Sequence, residues 1–315
     1  MTTKQAALHT GYGATTTARE AIGDTRLDGK IAIVTGGYVG VGLETTRALA
    51  GAGATVIVPA RTAEKARAAL SEMTRVELET VDLSDPTSVD AFASRFLASG
   101  RPLHLLINNA GIMAVPFQKN ARGFELQLAT NHLGHFQLTG RLWPALLKGK
   151  GARVVALTSR GHAFASVDVE DPSFERRPYD KWKAYGQSKT ANALFAVALD
   201  ARGERHAVRA FSVHPGAVHT ELARSIPEEE LRALRAANPR AYKMPPEGAA
   251  TSVWCATSAA LDGMGGVYCE DVDIGEPVAA DSKETRGVRP WIMDRDLAER
   301  LWQKSEEWTG VRWEG

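Results

Sequence analysis

From Lys30 onward, short runs of β-branched residues alternate with longer stretches of helical periodicity. This alternation predicts a parallel sheet that is covered by helices on both faces. The predicted strands read KIAIVTG, ATVIVPA, VELETVD, LHLLINN, ARVVALTS, AVRAFSVHPG and GGVYCED. No internal repeat or low-complexity linker interrupts residues 30–275. The sequence therefore predicts an α/β fold with a doubly wound, parallel, seven-stranded sheet in a single domain.

The predicted domain occupies residues 29–275 and leaves a segment at each end. Residues 1–28 lack a continuous apolar run, so we expect a poorly specified N-terminal arm. Residues 276–315 form a C-terminal extension, and this extension contains four of the seven tryptophans, Trp291, Trp302, Trp308 and Trp313. We expect these rings to pack on the domain. As an alternative, the four rings could line a substrate pocket or form a subunit contact.

The charge balance excludes several classes of partner. The chain has 38 Lys and Arg residues against 37 Asp and Glu residues, without a run of like charges. We therefore expect neither a nucleic-acid nor a membrane partner, and a small molecule is the expected ligand. No run of 18 apolar residues occurs, which favours a cytoplasmic protein. A homo-oligomer is compatible with this composition.

Two cysteines, Cys255 and Cys269, are too few for a disulfide framework, and neither belongs to a CxxC motif. Because no plausible pair of histidine ligands lies near either of them, no metal site is predicted. Both are expected to be buried, reduced thiols.

A glycine-rich loop, TGGYVGVG, lies between the first predicted strand and the first helix. Glycines at this point permit a tight turn and leave backbone N–H groups free to face a pyrophosphate. The spacing is TGxxxGxG, which differs from the commonest dinucleotide fingerprint, but the required strand and helix flank it. We predict cofactor contacts from the loop residues Gly36, Tyr38, Gly40, Val41 and Gly42.

The end of the second predicted strand favours NADP(H) over NAD(H). A Rossmann unit that binds NAD places Asp or Glu about 20 residues after the loop, where it holds the ribose 2′-hydroxyl. This chain has Ala60 there, followed by Arg61. A 2′-phosphate would meet a cation at Arg61 rather than a repelling carboxylate. NAD(H) stays the alternative cofactor, since a lone arginine can also lie in solvent.

Two segments break the alternation of strands and helices. Residues 160–184 form a polar insertion, and residues 219–246 form an amphipathic helical excursion. Both leave from the carboxyl ends of predicted strands, where ligands lie in open α/β sheets. Either segment could cover a substrate, although plain surface is the commoner role of such helices.

Two tyrosines have a lysine four residues on: Tyr179 with Lys183 and Tyr185 with Lys189. On a helix each pair would lie on one face, one turn apart, where the ammonium favours ionisation of the phenol. Tyr185 leads directly into an apolar-faced helix that can anchor it on the sheet. Tyr179 follows Pro178 in the polar insertion, so we predict that Tyr185 is the reactive residue.

Seven motifs follow one another in order, TGGYVGVG, VDLSD, NNAG, NHLGHF, TSRGH, YGQSK and HPG. As a set they resemble the short-chain dehydrogenase/reductase family. The segments NNAGIM, GFELQLATNHLGHFQLTG and HPGAVHTEL are similar to its retinol-dehydrogenase-like branch. This resemblance implies a Rossmann fold and an NAD(P)-dependent oxidoreductase that interconverts hydrophobic alcohols with their ketones or aldehydes. Within the glycine loop, Tyr38 and Val39 depart from the small polar residues usual in this branch.

The resemblance also implies a catalytic set. Tyr185 would be the acid/base, and Lys189 would activate it and bind the nicotinamide ribose. Ser159 would contact the substrate oxygen, and Asn131 would support the proton relay.

Further cofactor contacts follow from the same resemblance. Asp82 and Leu83 would lie near the adenine. Other positions would lie along the cofactor or border its nicotinamide, namely Asn109, Ala110, Gly111, Pro215, Gly216, Val218 and Thr220.

Two other functions compete with an oxidoreductase. A non-catalytic dinucleotide-binding or sensing protein could keep the fold, but it would have no need for the complete set of Asn, Ser, Tyr and Lys. A methyltransferase on a similar sheet requires an acidic end to the second strand, which Ala60 and Arg61 do not supply.

Overall fold

The computed structural model describes residues 4–237 and 242–313. Its central sheet has eight strands, in the order β10-β9-β6-β5-β4-β1-β2-β3, and a separate small sheet pairs β7 with β8. The strands are β1 (Ile31–Val34), β2 (Thr55–Ala60), β3 (Val76–Thr80), β4 (Leu105–Asn108), β5 (Arg153–Leu157), β6 (Arg209–His214), β7 (Ala217–Val218), β8 (Tyr242–Lys243), β9 (Val267–Glu270) and β10 (Asp273–Ile274).

The prediction of a doubly wound sheet is confirmed, and all seven predicted strands are present. The strand count needs a small correction, because β10 adds an eighth strand antiparallel to β9. Asp271 and Val272 connect the two strands, and both have positive φ angles, of 49° and 63°. A two-residue hairpin turn with two positive φ angles needs Gly, Asn or Asp by preference. Val272 does not fit that preference, so the sequence carried no clear signal for this hairpin.

Ten α-helices lie within the described ranges, most of them between the strands. They are α1 (Ala18–Ile22), α2 (Gly40–Gly51), α3 (Ala63–Leu70), α4 (Pro86–Ala98), α5 (Leu126–Leu128), α6 (Gly134–Lys148), α7 (Lys181–Gly203), α8 (Glu228–Ala237), α9 (Pro245–Thr257) and α10 (Arg295–Thr309). A π-helical segment, Ala129–Leu133, joins α5 to α6.

The sheet is buried on both faces because successive strand residues point to opposite sides. On β1, Ile33 belongs to one apolar cluster, whereas Ala32 and Val34 belong to the other. The first cluster contains residues of α4, α6, α7 and α10, and the second contains residues of α1, α2, α3 and α9. Apolar burial on both sides therefore fixes the strands whose carboxyl ends carry the candidate site.

The N-terminal arm packs more closely on the domain than the sequence indicated. The side-chain amide of Gln5 donates to the carbonyl oxygen of Tyr268 at 2.8 Å and accepts from its N–H at 2.9 Å. The Asp273 carboxylate accepts from the N–H of Leu8 at 2.8 Å. Ile22 of α1 is buried in the cluster that α9 also joins. The expectation of a poorly specified arm was therefore wrong for the residues from Lys4 onward, whereas the domain limits of 29 and 275 stay a prediction.

The C-terminal extension packs against the domain through its aromatic residues. Trp302 on α10 is buried and stacks on Phe195 of α7, with ring centroids 5.9 Å apart. It also meets Phe136 edge-on at 5.0 Å, and Trp313 lies 4.6 Å away. Aromatic contacts of this kind add to the burial of apolar area. These contacts hold Trp302 and Trp313 against Phe136 of α6 and Phe195 of α7.

A buried ion pair attaches the end of α7 to the sheet. Asp200 accepts from Arg209 Nε at 2.8 Å and from Nη2 at 2.7 Å, and it also accepts from the Ala210 N–H at 3.0 Å. Both charged residues are less than 10% exposed, at 6% and 7%. Since α7 also carries Tyr185 and Lys189, this pair fixes the helix on which the candidate site depends.

We expect Asp200→Ala to lower the free energy of unfolding by about 3–5 kcal/mol, because it leaves a buried guanidinium without its charge partner. The matched control is Glu79→Ala, which removes the exposed partner of Arg95. Exposed pairs contribute about 0–1 kcal/mol. Urea unfolding of both variants measures the difference. Equal small losses would mean that the Asp200 pair contributes no more than a surface pair.

Candidate active site

A cavity of about 440 Å³ lies at the carboxyl ends of β1, β2, β4, β5 and β6. This is the edge where ligands bind in doubly wound sheets. The cavity collects nearly all of the predicted site residues, namely Gly36, Tyr38, Gly40, Val41, Gly42, Arg61, Asp82, Leu83, Asn109, Ala110, Gly111, Ser159, Tyr185, Lys189, Pro215, Gly216, Val218 and Thr220. Asn131 is the exception, because it lies buried behind the wall.

The glycine loop forms one end of this cavity. Gly36 and Gly40 have positive φ angles of 64° and 54°, a backbone conformation that favours glycine. A Cβ atom on Gly42 would lie 2.4 Å from the Gly36 carbonyl oxygen and 2.5 Å from Asn109 Nδ2. The loop therefore needs glycine both for its turn and for close packing. The loop lines the cavity where α2 begins, and the start of a helix is a position that can hold the pyrophosphate of a dinucleotide.

Thr35 connects the glycine loop to the residues that follow β4. Its hydroxyl oxygen accepts from the N–H of Asn109 at 2.9 Å and of Ala110 at 3.0 Å. It also bonds to His135 Nε2 at 2.9 Å, while His135 Nδ1 bonds to the carbonyl oxygen of Asn131 at 2.9 Å. Burial lowers the pKa of His135 to about 4, so the ring is neutral at pH 7. A neutral ring that donates from Nδ1 must accept at Nε2, which directs the Thr35 hydroxyl proton toward it.

Asn131 lies in the π-helical segment between α5 and α6. Its side-chain oxygen accepts from the Ile112 N–H at 2.8 Å, and its amide donates to the Ile112 carbonyl at 3.0 Å. The amide also donates to Ser188 Oγ at 2.9 Å. Single π-turns often occur at functional sites. Here the side chain of Asn131 fixes the backbone that follows Gly111 and connects it to α7.

Ser159, Tyr185 and Lys189 meet at the centre of the cavity. Ser159 follows β5, whereas Tyr185 and Lys189 lie one turn apart on α7. The Ser159 hydroxyl accepts from the Gly161 N–H at 3.0 Å and hydrogen-bonds with the Tyr185 phenol. Lys189 Nζ lies 5.8 Å from the centre of the Tyr185 ring and donates to the Leu157 carbonyl at 3.0 Å. The arrangement places a hydroxyl, a phenol and an ammonium around one region of the cavity wall.

Burial controls the protonation of these groups. It raises the pKa of Tyr185 to about 12, against the lowering effect of the hydrogen bond with Ser159. It also lowers the pKa of Lys189 to about 8. In the chain alone, desolvation therefore outweighs the tendency of the nearby lysine to promote ionisation of the phenol. Tyr185 is a proton donor at neutral pH in this state.

The rival pair does not reach the cavity. The Tyr179 hydroxyl donates to the Val115 carbonyl at 2.9 Å, lies 3.2 Å from a Glu125 oxygen and accepts from Gln127 Nε2 at 3.0 Å. Burial, together with the Glu125 carboxylate, raises the pKa of Tyr179. Lys183, its lysine at +4, is exposed. These contacts give Tyr179 a packing role and support the preference for Tyr185.

Both excursions cover the opposite wall of the cavity with apolar and aromatic side chains. The insertion contributes Phe164 and Trp182, and the later excursion contributes Leu222, Ile226, Leu231, Leu234 and Tyr242. The two segments are joined by Glu230, which accepts from Trp182 Nε1 at 2.8 Å and pairs with Lys181 at 2.6 Å. The residues are too far apart in sequence for periodicity to have identified this wall.

Two further histidines support the site, and sequence reasoning assigned them no role. His135 belongs to the quoted motif NHLGHF, four residues after Asn131. His162 belongs to TSRGH, and its Nδ1 donates to the Ser159 carbonyl at 2.8 Å. Trp291 Nε1 of the C-terminal extension donates to the His162 carbonyl at 2.9 Å. The spacing of each histidine from a site residue was the available signal, but its partners became clear only in the fold.

Comparison with known proteins agrees with this geometry. A family model described as short chain dehydrogenase matches residues 30–231. A probable oxidoreductase from Streptomyces lividans is 41% identical over 290 residues, which cover 88% of this chain and 96% of that protein. Human retinol dehydrogenase 12 is 40% identical over 299 residues, which cover 92% and 90% respectively. The chain belongs to the short-chain dehydrogenase/reductase family.

Two solved structures extend the comparison. A putative uncharacterized protein from Mycobacterium paratuberculosis is 33% identical, with a TM-score of 0.75 and coverage of 94% of this chain and 98% of that one. The Pseudomonas aeruginosa RhlG/NADP active-site complex is 25% identical, with a TM-score of 0.64 and coverage of 78% and 95%. As a short-chain dehydrogenase/reductase of the retinol-dehydrogenase-like branch, the chain is an oxidoreductase, and that prediction is confirmed.

The described parts of this short-chain dehydrogenase/reductase contain no helix with the length and hydropathy that a membrane span requires. Its two cysteines, Cys255 and Cys269, are free and buried, as predicted.

We expect Tyr185→Phe to abolish turnover, because general acid/base catalysis is typically worth ~10² to 10⁴-fold. Tyr179→Phe is the matched control. It should keep turnover per folded molecule but lose about 1–3 kcal/mol of stability, since Glu125 and Gln127 lose a buried partner. Steady-state kinetics and urea unfolding of both variants separate the two effects. If Tyr179→Phe were inactive and Tyr185→Phe active, the reactive phenol would be Tyr179, and our choice of Tyr185 would be wrong.

Proposed function

We propose that this oxidoreductase uses NADP(H) to interconvert a hydrophobic alcohol and its ketone or aldehyde. The observation that carries the proposal is the position of Ser159, Tyr185 and Lys189 in one cavity, between the end lined by the glycine loop and the apolar wall. The glycine loop is expected to hold the cofactor, and the apolar wall is formed by the two excursions. The residues therefore fit a nicotinamide cofactor on one side and an apolar substrate on the other.

A bound nicotinamide dinucleotide supplies hydride transfer to or from the substrate carbon. The chain itself must hold the substrate oxygen and move its proton. Ser159 Oγ already accepts from Gly161 N–H, so its single proton points either to the Tyr185 phenol oxygen or, once a substrate is bound, to the substrate oxygen. During reduction the protonated Tyr185 gives its proton to that oxygen, and during oxidation the phenolate takes the proton back.

Lys189 acts on the phenol through its charge. Once Tyr185 has given up its proton, a phenolate remains in a buried position, where an isolated charge is costly. The ammonium 5.8 Å from the ring centre stabilises that phenolate. Lys189 is also the residue proposed to hold the nicotinamide ribose. Asn131 supports both functions, because it connects the backbone after Gly111 to α7 through Ile112 and Ser188.

The preference for NADP(H) is supported by the wall that follows β2. Arg61 is exposed, lines the cavity and makes no hydrogen bond or ion pair with another described residue. Ala60 before it is buried and uncharged. A 2′-phosphate at this point would gain a charge-assisted contact and meet no carboxylate from β2.

The first test of the function is turnover. We expect the purified protein to oxidise NADPH with apolar aldehydes or aromatic ketones and to reduce NADP⁺ with the corresponding alcohols. Tyr185→Phe is the control, since it should bind NADPH, as followed by fluorescence titration, without turnover. Tight NADPH binding with no turnover across a broad panel would instead favour the dinucleotide-sensing function.

The second test concerns Arg61. A hydrogen bond to a charged group contributes about 1.5–3 kcal/mol, and every 1.4 kcal/mol is tenfold in affinity. We therefore expect Arg61→Ala to weaken NADPH binding by roughly ten- to a hundred-fold and to leave NADH almost unaffected. Arg67→Ala is the matched control, because Arg67 is exposed on α3 and does not line the cavity. Equal losses for both cofactors would contradict a contact with the 2′-phosphate.

A further inference from the structure

Arg160 occupies a position that the proposed chemistry does not use. It follows Ser159 directly, lines the same cavity and is half-buried. Its N–H lies 3.3 Å from His214 Nδ1 at the end of β6. The residue is therefore fixed by its backbone where the adjacent strands β5 and β6 end, beside the hydroxyl that is proposed to contact the substrate.

The Arg160 guanidinium has no hydrogen-bond or ion-pair partner within residues 4–237 and 242–313. The carboxylates that these ranges place on the cavity wall are already engaged elsewhere. Glu221 pairs with Lys65 at 2.5 Å, and Asp82 accepts from the N–H of Ser84 at 2.9 Å and from its hydroxyl at 2.6 Å. Among the described residues, Arg160 is thus a half-buried cation beside Ser159 that has no direct anionic partner.

The histidines around Arg160 do not supply the missing charge. Burial is the main cause that lowers the pKa of His214 to about 3, and the positive charge of Arg160 is among the smaller causes. Burial likewise lowers the pKa of His162 to about 4. Both rings are neutral at pH 7, and the Nδ1 of His214 faces the N–H groups of Arg160 and Gly216. Asp271, whose carboxylate also acts on His214, is already paired with Lys243 at 2.6 Å and with Arg286 at 3.1 Å. Among the described residues no free carboxylate is thus left for Arg160, and a ligand would have to supply one.

The phosphates of a bound cofactor would lie too far from Arg160 to serve as its anion. Arg61, the residue proposed for the 2′-phosphate, follows β2, which is separated from β5 by β4 and β1. Three strand spacings amount to roughly 14 Å. The glycine loop that fits the pyrophosphate follows β1, whereas Arg160 follows β5. Arg160 therefore lies away from both proposed phosphate positions, on the Ser159 side of the cavity, which we call its substrate end.

The wall that the two excursions contribute is largely apolar, with Phe164, Trp182, Leu231 and Leu234. Its further arginine, Arg224, is exposed and donates to the Glu221 carbonyl. A planar guanidinium matches a carboxylate through two parallel hydrogen bonds. We propose that Arg160 binds a carboxylate group of the substrate, so that the enzyme acts on an apolar carbonyl or hydroxy compound that also carries a carboxylic acid. This inference rests on the proposed oxidoreductase function and makes its substrate class more specific.

The test compares aryl keto acids of increasing chain length with their methyl esters, which lack the charge but keep the carbonyl. With NADPH, the wild type should have a higher kcat/KM for at least one acid than for its ester. Arg160→Met should lose about 10- to 100-fold in kcat/KM on that acid and little on the ester. Arg160→Lys should recover part of the loss. Arg232→Met, an exposed arginine on α8 that does not line the cavity, is the matched control and should change neither.

A binding measurement separates this inference from the proposed function. In a Tyr185→Phe background, which blocks turnover, calorimetry should detect binding of the acid to the NADPH complex, and adding Arg160→Met should weaken it. Turnover on the broad carbonyl panel with none on the acids would overturn the carboxylate contact and leave the proposed function intact. Inactivity on the whole panel, acids and esters included, would overturn the proposed function, while the calorimetry would still decide the role of Arg160. Equal losses on acid and ester, or a weaker affinity of Arg160→Met for NADPH alone, would overturn the carboxylate contact.

Discussion

The candidate site depends most on the hydrogen bonds of the Thr35 hydroxyl. It accepts from the N–H groups of Asn109 and Ala110 and bonds to His135. Through that ring it connects the end of β1 and the segment after β4 to the Asn131 backbone. Because His135 is neutral, each partner has a fixed donor or acceptor role. One buried hydroxyl therefore holds together three segments that are distant in sequence, and the cavity takes its shape from their relative positions.

Desolvation is the second physical factor that governs the site. It raises the pKa of Tyr185 to about 12, which keeps the phenol protonated, and it lowers the pKa of Lys189 to about 8, although a lysine one turn away should favour ionisation of the phenol. The chain alone therefore presents an acid, which suits reduction of a carbonyl. Arg160 is also partly removed from water, and among the described residues its guanidinium has no ion-pair partner, so a carboxylate ligand would give it one. The electrostatics thus bear both on the reaction and on the kind of substrate.

Several expectations failed where local sequence carries little information. The eighth strand, β10, has two residues and a turn that includes Val272 at positive φ, so neither periodicity nor turn chemistry indicated it. The N-terminal arm has no apolar run, yet the side-chain amide of Gln5 bonds to both the N–H and the carbonyl oxygen of Tyr268. The spacing of Tyr185 and Lys189 reveals a nearby ammonium but gives no measure of burial, which raises the pKa of Tyr185 to about 12 in the chain alone. Each error concerns a contact between residues that are distant in sequence or a degree of solvation.

The sequence by itself determined the doubly wound sheet, the glycine loop and the motifs that contain Ser159, Tyr185 and Lys189. These features are local, since they follow from the period of apolar residues, the conformational freedom of glycine and the spacing of one helical turn. Only the tertiary structure decided which side chains face one another. It brought Phe164 and Trp182 opposite Leu231 and Leu234, and it left the Arg160 guanidinium with no ion-pair partner among the residues that the structure describes. Parallel strands gather their carboxyl ends along one edge, so residues far apart in the chain become neighbours there.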